Sequence, residues 1–152
     1  MRTKIDFGKI DGYGNGRKTC LVTVEVEVDN NDVFTASADI WNSKGTDYIR
    51  CGQCLDYLYQ FFENDSKFKK VYEWWKKWHL NDMHAGTEKQ ESALEKAGLT
   101  GWANNYTECC KYLESIGLLV DNGYKFGTAW LKREIPAEIL NEMKQFIKEN
   151  SK

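Results

Sequence analysis

Proline occurs once in the 152 residues and histidine twice, and no apolar run approaches the roughly 20 residues that a membrane-crossing helix needs. With 12 glycines and 41% hydrophobic residues, that profile excludes a collagen-like or disordered chain and fits a folded globular protein. The opening residues Met1 to Asp6 lack the apolar h-region of a secretory signal, so the expectation is a cytoplasmic protein with no membrane association. Strong positive charge is absent too. With a net charge of -2, the molecule as a whole lacks the strong positive field expected of a sequence-independent DNA binder. Five cysteines, an odd number in a chain long enough to pack a core, argue against a disulfide framework and for reduced thiols. Nucleophile elbow, phosphate loop, EF-hand and dinucleotide fingerprint are all missing, which disfavours an enzyme and implies no cofactor.

Aromatic residues, by contrast, are plentiful: six Trp, eight Tyr and seven Phe make up 14% of the chain. Such side chains dominate cores and interfaces alike, so their surplus points first to an interaction surface.

Over the first 45 residues the hydrophobic period is two. Cys20, Val22, Val24, Val26 and Val28 alternate with Thr19, Leu21, Thr23, Glu25 and Glu27, and a second alternating run covers 33–41. Asp29-Asn30-Asn31-Asp32 supplies a turn between them, and Lys4–Ile10 predicts a further strand. Beyond Gly45 the period becomes helical. Leu55, Leu58, Tyr59 and Phe62 share one helix face, and Phe68, Val71, Tyr72, Trp75 and His79 share another after an Asn64-Asp65-Ser66 cap. Thr87 with Gln90 matches a capping box for a helix over 88–97 stopped by Gly98; a helix over 104–116 is stopped by Gly117. Asn122-Gly123 predicts a hairpin over 118–131, and Pro136 opens a last helix carrying Ile139, Leu140, Met143, Phe146 and Ile147. The fold class expected is α+β. An N-terminal antiparallel β-meander precedes a helical region with an inserted C-terminal β-hairpin, in a single domain over 1–152, strand-rich over 1–45 and helical over 46–152.

Several residue groups admit a functional and a structural reading. Trp75 lies on the apolar stripe and is expected in the core together with Trp130, whereas Trp74 and Trp78 are displaced around the helix. They are either covered on a second flank or form an aromatic ridge beside Lys69, Lys70, Lys76 and Lys77, suited to a partner's surface or to stacked bases. Glu25, Glu27, Asp29 and Asp32 occupy a stretch without Lys or Arg and predict an acidic hairpin edge. That edge is either a solvated face that deters aggregation or a lure for a basic nucleic-acid-binding groove. His79, Asp82 and His84 lack the spacing of a zinc-protease helix, and Cys51-Gly52-Gln53-Cys54 would need two further ligands, so both are weak metal candidates. As a structural alternative, the stretch 78–87 is a corner between helices in which Asp82 caps. The order helix, helix, hairpin over 88–131 also matches a winged helix-turn-helix, with Lys125, Lys132 and Arg133 able to touch phosphates. Its second helix carries Lys111 against Glu108 and Glu114, with no Arg to grip guanine.

Two blocks, Trp78-His79-Leu80-Asn81-Asp82-Met83-His84-Ala85-Gly86-Thr87 and Asn122-Gly123-Tyr124-Lys125-Phe126-Gly127-Thr128-Ala129-Trp130-Leu131 with Ile135-Pro136, stand beside Gly52-Gln53-Cys54-Leu55-Asp56. Over roughly 39–136 they resemble small proteins encoded by phages and prophages, a family with no catalytic set to carry over. The resemblance implies an accessory protein of a mobile element, of the anti-CRISPR or other anti-defence kind, working in the host cytoplasm. The leading expectation is therefore an inhibitor that binds and blocks a host nucleic-acid-handling protein such as a CRISPR effector, through Glu25, Glu27, Asp29, Asp32, Trp74 and Trp78. A winged-helix DNA-binding regulator stands second, and a metal-dependent hydrolase on His79, Asp82 and His84 third.

Overall fold

The computed structural model describes residues 1–13, 18–42, 48–51, 53–79, 82–84, 88–99, 101–102, 104–120, 128–131 and 134–151; for 12–13, 18, 42, 48–51, 53–54, 82–84 and 128–130 it describes the backbone alone. In chain order the elements are β1 (Arg2–Tyr13), β2 (Lys18–Val28), β3 (Phe34–Asn42), β4 (Tyr48–Cys51), α1 (Gln53–Phe62), α2 (Ser66–Trp78), β5 (Asp82–His84), α3 (Glu88–Lys96), α4 (Tyr106–Ser115), β6 (Thr128–Trp130) and α5 (Ala137–Asn150). The fold is α+β. Packing divides the chain into two compact units rather than into a strand half and a helix half: residues 1–79 with 135–152 form one, and residues 80–134 the other.

In the first unit β1 to β4 form an antiparallel meander in sequence order. The period of two in β2 buries Val22, Val24 and Val26 completely, and β3 matches it with Phe34, Ala36, Ala38 and Ile40. Burying each valine is worth about 1.5–3 kcal/mol, so this single strand face anchors the sheet. β1 changes phase midway. A bulge at Phe7 and Gly8 shifts its register against β2, with Gly8 at φ 86° and its N–H bonded to Asp6 Oδ1 at 2.8 Å. The extra residue lets odd positions Thr3 and Ile5 and the even position Ile10 all face inward. β4 extends the strand region beyond the expected boundary at 45; its four residues are too short a run for a period to declare itself.

Helices α1 and α2 pack on β3, α1 also on β4, and α5 on β1 and β2. Asp65 caps α2 as expected, its carboxylate accepting from Lys67 N and Phe68 N at 2.9 Å each. Phe68 and Val71 are fully buried, but Trp74 takes the core position expected for Trp75. Trp74 reaches between β3 and α5, where it meets Phe34 and Phe146 edge-on, while Trp75 is half-buried beside Tyr72. A helix covered on two flanks buries a wider arc than one stripe predicts. At the end of α5, Thr3 Oγ1 donates to Asn150 O at 2.9 Å and ties the helix to β1.

The second unit runs β5, α3, α4, β6, with β5 and β6 antiparallel. Both expected helix stops are present. Gly98 and Gly117 have φ of 73° and 78°, and Leu99 N to Leu94 O and Leu118 N to Leu113 O close the paired six-residue loops of a Schellman ending. Leu94, Cys109, Cys110, Leu113 and Leu119 form its core. Gln90 is wholly buried and donates from Nε2 to Leu118 O at 3.2 Å; Thr87, its expected capping-box partner, lies outside the described residues. The turn expected at Asn122-Gly123 lies outside the described residues, and the strand at the far end of that segment, β6, pairs with Asp82–His84. This pairing corrects the corner assigned to 78–87. Backbone groups of 82–84 go to a strand partner, so Asp82 stands in a ladder and not at a helix cap.

Candidate functional site

The meander has two faces, and within its unit the helices occupy one of them. On the other face the cross-strand register sets Arg2 opposite Glu27, Lys4 opposite Glu25, Asp6 opposite Thr23 and Lys9 opposite Leu21. β3 adds Thr35, Ser37, Asp39 and Trp41 opposite Glu27, Glu25, Thr23 and Leu21. One end of this face thus carries paired charges, and the other sets Leu21 and Trp41 beside Lys9 and Asp39. Leu21 is 45% exposed and Trp41 40% exposed, side by side on neighbouring strands. Next to them Asp39 is buried on the same face, with Arg50 as its register partner on β4.

The acidic edge expected from 25–32 is not a block of unbalanced charge. Glu25 lies 3.8 Å from Lys4, and Glu27 stands in register with Arg2. Asp29 Oδ1 accepts from Asn31 N at 2.8 Å and Val33 N at 3.0 Å, which shapes the turn. Asp32, at φ 59°, bonds Lys144 Nζ at 3.0 Å. Basic residues of β1 and α5, distant in sequence, supply the charges that the hairpin itself lacks.

Nor do Trp74 and Trp78 form an exposed ridge. Trp74 is buried, and Trp78 packs half-buried against the main core with Lys77 Nζ 5.0 Å over its ring. The large apolar side chains that do reach solvent include Leu21, Trp41, Tyr57, Phe61 and Ile116. Their signal was a phase violation. Leu21 and Trp41 fall on the polar beat of β2 and β3, while Tyr57 and Phe61 lie off the Leu55/Leu58/Tyr59/Phe62 stripe and pair with each other at 5.4 Å.

Among the metal candidates, His79 is the C-terminal cap residue of α2; its backbone N–H donates to Trp75 O, and its ring sits 5.7 Å from that of Trp75. The side chains of Cys51, Cys54, Asp82 and His84 lie outside the described residues. Among the described residues no three His, Cys, Asp or Glu side chains gather around one point. Lys125, Lys132 and Arg133, the phosphate contacts of the winged-helix reading, also lie outside them.

Two groups of shifted acidity are structural. The Asp56 carboxylate accepts from Tyr72 Oη at 2.7 Å and, with burial, pushes that phenol up to about 12. Burial raises the Cys109 and Cys110 thiols, which suits inert core residues and not nucleophiles. In the second unit a shallow groove between α3 and α4 is lined by Glu88, Lys89, Ser92, Ala93, Lys96, Tyr112 and Leu118. No helix among the described residues is long and apolar enough to cross a membrane.

Compared with protein-family models, with curated proteins and with solved structures, the chain matches none of them.

Proposed function

We propose that this chain is a non-enzymatic binding protein of the phage anti-defence kind, which blocks a host nucleic-acid-handling protein by covering part of its surface. One observation carries the reading: Leu21 and Trp41 stand exposed and in register on the face of the sheet opposite the helices. A large aromatic and an aliphatic side chain held on a rigid sheet cost little ordering entropy on docking, and Trp is the residue type most enriched at binding hot spots. Toward the other end of the same face Arg2, Lys4, Glu25 and Glu27 supply paired charges. The binding surface so placed shares Glu25 and Glu27 with the acidic edge, while Trp74 and Trp78 serve the core.

The test is inhibition of a purified CRISPR effector. Target cleavage is measured with the wild-type chain and with Leu21→Asp and Trp41→Ala. The reading expects inhibition at near-stoichiometric amounts, lost in both variants with melting temperature kept. It fails if effector and phage-restriction activity are untouched by the wild-type chain, or if both variants inhibit as well as it does.

A second reading, the winged-helix regulator, is favoured by topology alone: a strand, two helices and a strand that returns to pair with the first. The charge of α4 weighs against it, since Glu108 and Glu114 flank its one Lys111. Operator binding that survives physiological salt would establish it over the first reading.

A further inference from the structure

α2 is electrostatically unlike the rest of the molecule. It carries Lys67, Lys69, Lys70, Lys76 and Lys77 against Glu73 alone, which leaves sixteen positive against twenty-two negative side chains elsewhere in the chain. All five lysines are exposed. Lys67 and Lys69 near its N-terminus oppose the helix dipole, while Asp65 caps that end and Glu73 stands three or four residues from Lys69, Lys70, Lys76 and Lys77. α1, α3, α4 and α5 instead each place an acidic residue in the first turn. Partial relief comes from Glu142, which pairs with Lys70, and from the Tyr72 and Trp78 rings under Lys76 and Lys77. Exposed positive charge gathered along one helix of a net-negative chain is the electrostatic footprint of a site for a polyanion.

We infer that the lysine face of α2 binds the phosphate backbone of nucleic acid. From Lys67 to Lys77 the helix advances about 15 Å, the rise of roughly four base pairs. Ammonium groups on flexible stems suit phosphates as point charges and carry no base readout. Trp74 is buried and Trp75 and Trp78 are half-buried, so α2 presents no fully exposed indole on which the bases of a single strand would stack. The expected ligand is therefore duplex, bound without sequence preference through about three net phosphate contacts. This site is separate from the sheet face and does not rest on the function proposed for it.

Fluorescence anisotropy of the full chain with a labelled duplex of about 20 base pairs, titrated between 50 and 200 mM salt, tests it. The wild-type chain should bind with a log–log salt slope of about -3 and at least as tightly as to a single strand of equal length. K69E/K76E should lose at least tenfold in affinity at 50 mM salt, and K69R/K76R should bind as the wild type. Should the charge reversal disturb folding by circular dichroism, K69Q/K76Q takes its place with a smaller loss in the same direction. Absent duplex binding at 50 mM salt, or binding that both neutral and reversed variants retain, overturns the inference. Tighter binding to single strands, or to vesicles of anionic lipid than to duplex, does so as well.

Discussion

Trp74 meets Phe146 edge to face, with ring centroids 5.3 Å apart and planes at 90°, so that the indole of α2 is wedged against α5. Phe34 of β3 meets the same indole at 6.0 Å. Three elements drawn from the two ends of the first unit's sequence thereby share one side chain. Trp74→Ala should cost about 3–5 kcal/mol in chemical denaturation, the range for removing a large buried aromatic. Trp75→Ala, at a half-buried position, should cost less. A reversed order would mean that α2 presents its other flank to the sheet.

The Asp65 cap gives a second, smaller expectation. Its carboxylate holds two N–H groups of the first turn of α2, so Asp65→Ala should lower stability by about 0.5–2 kcal/mol, with Asp65→Asn or Ser recovering most of it. Thermal melts of the three variants check it.

Tyr72 ties stability to alkaline pH. In the folded chain its pKa is about 12, against 10.0 for the free side chain, because its O–H donates a hydrogen bond to the Asp56 carboxylate and burial disfavours the phenolate. The native state therefore holds this proton more tightly than the unfolded chain. The contribution is complete below about pH 10 and is lost as pH rises through about 12. Ultraviolet difference titration should show a late-ionising tyrosine that Tyr72→Phe removes; an unchanged titration curve in that variant would contradict the assignment.

Cys20, Cys109 and Cys110 are buried free thiols, and burial raises the pKa of the latter two. Thiolate is the reactive form, so brief alkylation of the native protein followed by peptide mass spectrometry should leave these three unlabelled. Labelling should become complete in denaturant. Fast native modification of Cys109 or Cys110 would show that the α3–α4 core opens.

Much of this fold is local and was therefore legible in the sequence. A period of two over 20–28, a period near 3.6 over 55–78, an aspartate before a helix and glycines after two others each act through neighbours a few residues away. The β1 bulge and β4 were not legible as such, the first because a register slip shows only against a partner strand, the second because four residues define no period.

The sequence by itself determined the α+β class, the inward valine face, the capped helices and the reduced state expected of the cysteines, because those follow from short-range sterics, hydrogen bonding and hydrophobic periodicity. Tertiary structure alone decided which tryptophan is core, since Trp74 is buried by Phe34 and Phe146, residues 40 and 72 positions away. It also decided that the acidic hairpin is balanced by Lys4 and Lys144 and that Leu21 and Trp41 share an open face. Coulomb attraction and burial depend on distance in space, and a side chain's neighbours across a sheet are set by pairing, which no single stretch of sequence contains.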